Sequence, residues 1–302
     1  MHRATLALVA SVAACGGSQR ASSVLVEPTI RVLDAGVEPR QLLHYDLTGL
    51  VPERMELSFK LRINGEYTNT VLETGHQTAD FPTIKNTARL EVRSVGADGT
   101  ATVSSIVEDV AILDDVVDPA IRRMIDVEVN AMKGSQYSWR MTPSGRIFDV
   151  TASAPNASAA VRARLSNVAD TIRGNSVIFP DQAIGAGASW QVTSRYVLSG
   201  VTWEQTATYR LRDLTDSVAT VSAQISMHAD SQALSVEPNA TTRLTSATGN
   251  ASAELVVPFH SLVATATSRG ASEMSLLVVR GHQRLASSIQ TEAFTSMRPI
   301  PR

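Results

Sequence analysis

Cysteine is nearly absent from this chain: Cys15 is the only one among 302 residues. A lone cysteine cannot form an internal disulfide, so the folded part must be stabilised by burial of its core rather than by cross-links. Beyond Cys15 the chain also has no thiol for nucleophilic or redox chemistry. Hydrophobic residues make up 43% of the sequence, which is sufficient for a core of that kind.

An excess of charge of one sign is also missing. Lysine and arginine number 27 and aspartate and glutamate 29, for a net charge of −2, and no basic block occurs. This balance argues against nucleic acid or anionic lipid headgroups as the main partner. Long apolar runs are missing as well, because the run at residues 4–14 is too short to span a bilayer.

The common catalytic and metal-binding motifs are absent. The sequence has no Gly-x-Ser-x-Gly elbow and no P-loop. Its six histidines show no pair at the helical spacing of a zinc site. Asp114 and Asp115 are adjacent acids that we expect in a loop, solvated rather than catalytic, and Gly185-Ala186-Gly187 precedes a predicted strand, not the helix that a phosphate site needs. We therefore predict no enzyme activity, no metal site and no cofactor.

The first 15 residues carry the most specific signal. Met1-His2-Arg3 precedes the short apolar run, which ends in Val12-Ala13-Ala14-Cys15. This pattern resembles a bacterial lipoprotein signal with its lipobox. The resemblance implies that residues 1–14 are removed, that Cys15 is acylated, and that the protein is anchored to a membrane by its acyl chains. Gly16, where some lipoproteins have Asp, points to the outer membrane; an ordinary secretory signal is the alternative.

Residues 15–40 contain glycine, serine, proline and isolated apolar residues without a period, which predicts a flexible tether after the lipidated cysteine. The folded region, 41–302, begins beyond it. Strict alternation of apolar and polar residues over 55–63 and 201–212 predicts strands with one buried face. Further strands are predicted at 90–95, 102–110, 137–141, 146–150, 218–225, 255–257, 262–267 and 274–279. Short turns at 97–99 and 143–145 favour an antiparallel meander.

Two segments have helical patterns. In 156–173, one amphipathic face carries Val161, Leu165, Val168 and Ile172, and Gly174 follows as a stop. A shorter helix is predicted to start with Asp118 as its N-cap and Pro119 at its first position. Its end is open, because Val127 and Val129 also suit a strand.

A weak internal echo suggests how the strands are organised. Ala101-Thr102-Val103-Ser104 and Ala219-Thr220-Val221-Ser222 each follow a strand and a turn of similar pattern. We predict a mainly β, β-rich α+β fold of two antiparallel meander halves, 43–153 and 188–297, joined by the helix at 156–173. The alternative is that such short strands recur by chance in a chain rich in Ala, Thr, Val and Ser.

Taken together, the lipobox, Leu43-His44-Tyr45, and the segment from Gly185 to Trp190 resemble a group of uncharacterised β-rich bacterial lipoproteins. At fold level the pattern is similar to half-barrel lipoproteins that carry lipids across the periplasm, which implies a sheet curled around helices. Fold resemblance does not assign function.

Three hypotheses follow. The first is a lipid-anchored envelope protein that binds or scaffolds an unidentified envelope protein. The second is a carrier or sensor of lipids or other apolar ligands, with Val161, Leu165, Val168 and Ile172 facing the ligand. The third is an envelope enzyme with dispersed site residues. Trp139, Trp190 and Trp203 could line an apolar cavity or belong to the core.

Overall fold

The computed structural model describes residues 27–69, 74–114, 119–154, 172, 176–198, 200–234 and 240–301. In this part of the chain the protein is a 14-stranded antiparallel sheet with one helix, α1 (Pro119–Met132). The mainly β prediction is confirmed. The strands are β1 (Thr29–Asp34), β2 (Glu53–Asn69), β3 (Thr74–Asp80), β4 (Ile84–Val95), β5 (Ala101–Ile112), β6 (Gln136–Met141), β7 (Ile147–Ser153), β8 (Ser189–Leu198), β9 (Val201–Leu214), β10 (Val218–Ala229), β11 (Gln232–Leu234), β12 (Thr241–Pro258), β13 (Thr265–Arg280) and β14 (Gln283–Pro299).

The strand order is β1-β8-β9-β10-β12-β13-β14-β2-β4-β5-β6-β7, with β3 paired to β2 and β11 to β12. The range predicted as the first half contains β2–β7, and the range predicted as the second contains β8–β13 and most of β14; the division into halves stays a prediction. The two ranges join directly, because β14 pairs antiparallel with β2 from Met55 opposite Pro299 to Asn69 opposite Leu285. Of the helix predicted at 156–173, only residue 172 is among the described residues.

The two similar sequence segments, around Ala101 and around Ala219, form two similar hairpins, β4–β5 and β9–β10. Arg93 Nε donates to Ser104 Oγ at 2.8 Å in the first, and Arg212 Nε donates to Ser222 Oγ at 2.9 Å in the second. On the opposite face, both hairpins bury an Ala-x-Val pair completely: Ala101 and Val103, Ala219 and Val221. Each half therefore contains the same local unit.

Of the tether predicted for residues 15–40, the structure describes residues 27–40, and part of this stretch is a strand. Thr29–Asp34 forms the edge strand β1 and pairs with β8, and Val37 N donates to Ala186 O at 3.0 Å. The sequence pattern misses β1 because it is only six residues long, and its inward residues, Ile30 and Val32, are too few to establish a period.

Two other boundaries differ from expectation. The helix α1 continues to Met132 and includes Val127 and Val129, which the sequence left open between helix and strand. The predicted strand at 262–267 begins only at Thr265. The turn predicted at 185–187 is present and leads into β8 at Ser189. The described chain has no helix of sufficient length and apolarity to cross a membrane.

The sheet curls over its apolar face. The larger core cluster joins Leu90 of β4 and Trp139 of β6 with Val257 of β12. In the strand order, β12 and β6 are six strand spacings apart, a distance of about 29 Å in a flat sheet at about 4.8 Å per spacing. Side chains on strands so far apart share a core only if the sheet bends toward itself. A second cluster, around Leu244, Leu276 and Trp203, lies farther along the long strands.

Candidate ligand-binding cavity

Four loops meet at the end of the sheet that holds the larger core cluster. Tyr45 N donates to Pro143 O at 2.7 Å, Asp46 N donates to Phe259 O at 2.9 Å, and Phe179 N donates to Ser144 O at 2.8 Å. These backbone bonds join segments that are far apart in sequence. They fix the position of the aromatic side chains that the loops carry.

The aromatic side chains form a packed group. The ring of Phe179 lies 5.5 Å from that of Tyr45, 6.0 Å from that of Phe259 and 6.1 Å from that of Trp190, and Trp190 stacks on Tyr209 at 5.4 Å. Such pairs add to the free energy of burial. Burial raises the pKa of Tyr209 to about 12, and it raises the pKa of Tyr45 further still. This group is core, and its member Tyr45 also lines the cavity beside it.

The polar atoms of this aromatic group have partners. Trp190 Nε1 donates to Ile178 O at 2.9 Å, and Tyr45 OH donates to Val177 O at 3.3 Å. Gly145 lies against the same loop with a φ of 95°, and a Cβ there would overlap the carbonyl oxygen of Val177 and the ring of Tyr45. Only glycine fits this close approach without strain.

Beside the aromatic group lies an apolar cavity of about 110 Å³. Its walls come from β2, β4, β6, β12 and β14, and among its lining residues are Met55, Leu90, Trp139, Met141, Leu255 and Met297. Among the described lining residues there is no charged side chain. An apolar cavity of about 150 Å³ in another protein stays dry and binds benzene or xenon. This cavity is therefore large enough for a small apolar group or the end of a chain, and smaller than the site of a drug-sized ligand.

Only some of the predicted site residues are among those that the structure describes. Ile172 lines the cavity. Val161, Leu165, Val168 and Cys15 lie outside the described residues. Of the three tryptophans, Trp139 lines the cavity, Trp190 is packed in the aromatic group, and Trp203 belongs to the second cluster.

Buried polar atoms on and next to β6, where only Trp139 lines the cavity, were missed at the level of sequence. Trp139 Nε1, Tyr137 OH and Ser135 Oγ are buried and, among the residues that the structure describes, have no hydrogen-bond partner. The three side chains are 7%, 5% and 1% exposed. They occupy alternate positions, which point to one face of a strand. The sequence does contain a sign of this feature, because polar residues occupy inward positions of a predicted strand.

A larger groove of about 330 Å³ lies on the outer face of β4–β7. It is lined by Arg89, Glu91 and Arg93, which alternate with the inward Leu90 and Val92. Arg93 already donates to Ser104 Oγ and, at 3.0 Å, to Glu91 Oε1. Because Arg93 and Glu91 pair with each other in contact with solvent, we assign this groove to the hydrated surface.

Of the two adjacent acids considered in the sequence, Asp114 is among the described residues and Asp115 lies outside them. Asp114 Oδ2 accepts from Thr83 N at 2.8 Å and from Thr83 Oγ1 at 2.9 Å, and these bonds lower the pKa of Asp114. His228 lies 3.3 Å from Glu204 at the surface. Within the described ranges, no three His, Cys, Asp or Glu side chains lie close enough to hold a metal ion.

Comparison with known proteins assigns no family. No family model matches the chain, and no curated protein matches it. Among solved structures, a mutant of the Rh. blastica porin is 9% identical, with a TM-score of 0.20, over 79% of this chain and 99% of the porin. OccAB4 of Acinetobacter baumannii is 8% identical, with a TM-score of 0.18, over 83% of this chain and 99% of its own. Similarity this weak carries no conclusion about fold or function, so the candidate site is judged on its geometry.

Proposed function

We propose that this protein is a lipid-anchored component of the bacterial envelope, attached to the outer membrane through Cys15, which binds an apolar ligand without transforming it. The observation that supports this proposal is the apolar cavity formed where the curled sheet brings β6 opposite β12. Concave, mostly apolar cavities with few polar groups are typical of small-molecule binding sites.

The chemistry around the cavity supports binding rather than catalysis. Its two lining serines already donate to backbone carbonyls: Ser176 Oγ to Gly145 O and Ser261 Oγ to Val263 O. A nucleophilic serine requires a neighbouring base, and no histidine or carboxylate is among the described lining residues. Transfer of the ligand's apolar surface from water into the cavity supplies binding free energy.

The cavity volume limits the part of the ligand that fits. About 110 Å³ holds the end of an acyl chain rather than a whole lipid. The apolar ligand face predicted at Val161, Leu165 and Val168 stays a prediction, because these residues lie outside the described ones.

Cavity filling tests the binding site. Ala264 lines the cavity, whereas Ala253 packs against the same core without lining it. Ala264→Phe adds a ring to the cavity, so we expect hexane affinity to fall at least about tenfold, a loss of about 1.4 kcal/mol. Affinity is measured as saturable partition of hexane between headspace and protein solution.

Ala253→Phe is the matched control, and it should retain hexane binding if its fold survives. Absence of saturable hexane uptake by the wild-type protein would contradict the proposal. That result would favour the alternative, an envelope scaffold that binds another protein.

The anchor is tested separately. Cys15→Ser removes the acylated thiol, so we expect the protein to move from the membrane fraction to the soluble fraction of its host. A mutant that still sediments with membranes would show that attachment does not depend on Cys15.

A further inference from the structure

Exposed apolar side chains are concentrated near the described start of the chain. Eight large apolar residues are exposed in the part of the chain that the structure describes, and four of them lie within residues 33–51: Leu33, Val37, Leu42 and Val51. Single exposed apolar residues are ordinary on a protein surface, whereas a group of them marks a contact surface for a protein or a membrane. The group therefore indicates such a surface next to β1.

Backbone hydrogen bonds fold three of these residues into one compact loop. Gly185 N donates to Ala35 O at 2.9 Å, and Gln41 N donates to Ile184 O at 3.0 Å. Because residues 184 and 185 are adjacent, the two ends of the segment 35–41 lie close together. Residues 33–42 are called the apolar loop, and its exposed apolar side chains are Leu33, Val37 and Leu42.

The apolar loop lies at the end of the sheet that carries the cavity. Leu42 is 58% exposed, whereas its neighbour Leu43 belongs to the larger core cluster. Tyr45, three residues after Leu42, lines the cavity. One short segment therefore carries an outward apolar side chain and part of the cavity wall.

The described chain begins at the same end of the sheet. Arg146 Nη2 donates to Glu27 Oε1 at 2.6 Å, and the next residue, Ile147, lines the cavity. Glu27 is twelve residues beyond Cys15. A flexible chain of twelve residues spans about 20 Å on average and at most about 40 Å when extended. An acylated Cys15 would therefore hold the cavity end of the sheet near the bilayer.

The charges of the apolar loop fit contact with uncharged rather than anionic lipid. The loop contains two acids and one base, Asp34, Glu38 and Arg40, and Arg40 Nε lies 3.5 Å from Glu38 Oε1. Attraction to anionic headgroups requires a cluster of lysine or arginine. Apolar side chains can instead enter the boundary between headgroups and acyl chains, to a depth of about 5–10 Å.

We propose that Leu33, Val37 and Leu42 enter the bilayer to which the protein is anchored, so that the cavity end of the sheet faces the membrane. This inference rests on the proposed function, because it takes its anchor from Cys15. The orientation would place the cavity next to the source of an apolar ligand.

The lone cysteine of the chain permits a site-specific test. In the anchored protein the thiol of Cys15 is modified, so a second, introduced cysteine is the only free thiol. Leu42→Cys and Phe294→Cys would each be labelled with nitrobenzoxadiazole in the acylated protein. The labelled proteins would be reconstituted with phosphatidylcholine vesicles, with and without bromine on the acyl chains, and isolated by flotation.

Phe294 is the matched control. It is 49% exposed, and it lies five residues before Pro299, the end of β14, which is about 17 Å along the strand. Brominated chains should quench the label at Leu42 at least about twice as strongly as the label at Phe294, because only the first enters the acyl boundary.

A charge in the apolar loop should remove this difference. Val37→Asp, added to the labelled Leu42→Cys protein, should reduce its quenching to the level of the Phe294 label, because a carboxylate resists transfer out of water. Ile106→Asp places the same charge at an exposed position on β5, and it should leave the quenching at Leu42 unchanged.

The outcomes separate this inference from the proposed anchor. Equal quenching of the two labels in protein that floats with the vesicles would overturn the membrane contact while preserving the anchor, and it would favour a protein partner for the apolar loop. Quenching at Leu42 only in vesicles that contain phosphatidylglycerol would also overturn it, because charge would then carry the contact. Acylated protein that does not float with vesicles would contradict the proposed anchoring itself.

Discussion

Removal of the Phe179 side chain should destabilise the whole end of the sheet that carries the cavity. Phe179 is 0% exposed, and its ring lies within 6.1 Å of three other aromatic rings. Replacement of a buried phenylalanine with alanine costs about 3–5 kcal/mol through lost burial and the cavity left behind. Because the neighbouring rings belong to two other loops and to β8, we expect a value in the upper half of that range.

The measurement is the midpoint of urea unfolding, followed by tryptophan fluorescence. With a slope of about 3 kcal/mol per molar urea, Phe179→Ala should lower the midpoint by about 1.3 to 1.7 M. Phe294→Ala is the matched control, because Phe294 is 49% exposed on the outer face, and exposed substitutions usually change stability by at most about 0.5 kcal/mol. Equal shifts for the two variants would refute the assignment of Phe179 to the core.

Tyr137→Phe removes a hydroxyl that has no partner among the described residues, so the free energy of unfolding should stay unchanged or rise by up to about 1 kcal/mol. Tyr45→Phe removes the hydrogen bond to Val177 O, so the free energy of unfolding should fall by about 1 kcal/mol. The opposite order in thermal unfolding would contradict this difference in hydrogen bonding. Gly145→Ala should destabilise more than Gly187→Ala: both glycines have a positive φ, but a Cβ at Gly187 meets nothing within 4 Å. Equal losses in urea would exclude the steric argument. The free energy of unfolding should fall above about pH 10, which is the pKa of tyrosine in the unfolded chain. The reason is that burial raises the pKa of Tyr209 in the folded chain to about 12. In thermal unfolding at alkaline pH, Tyr209→Phe should weaken the fall of stability with pH. An unchanged fall would contradict the assignment of this effect to Tyr209.

The sequence predicts strands well where one face is apolar, as in β2 and β9. The long strands β12, β13 and β14 are predicted poorly. Their central parts contain small residues, such as Ala251, Gly270 and Ala293. Their inward and outward residues differ little in hydrophobicity, so the period is not visible. Pairing with neighbours over 16 to 18 residues creates these strands instead.

The site could be predicted only in part. Ile172 was expected on an apolar ligand face and lines the cavity. The sequence does not show that the indole N–H of Trp190 has a hydrogen-bond partner while that of Trp139 has none among the described residues. The partner of Trp190, the carbonyl of Ile178, lies on another segment of the chain. The curvature that creates the cavity depends on the pairing of β14 with β2, and such long-range contacts have no local signature.

Native mass spectrometry with lipid extraction tests the central claim most directly. Residues 16–302 would be exported to a bacterial periplasm without the acyl anchor, purified without detergent, and weighed intact. We predict a mass increment from one apolar, acyl-containing molecule per chain, which Ala264→Phe should abolish. A mass equal to that of the polypeptide alone, with no extractable lipid, would contradict ligand binding in the cavity.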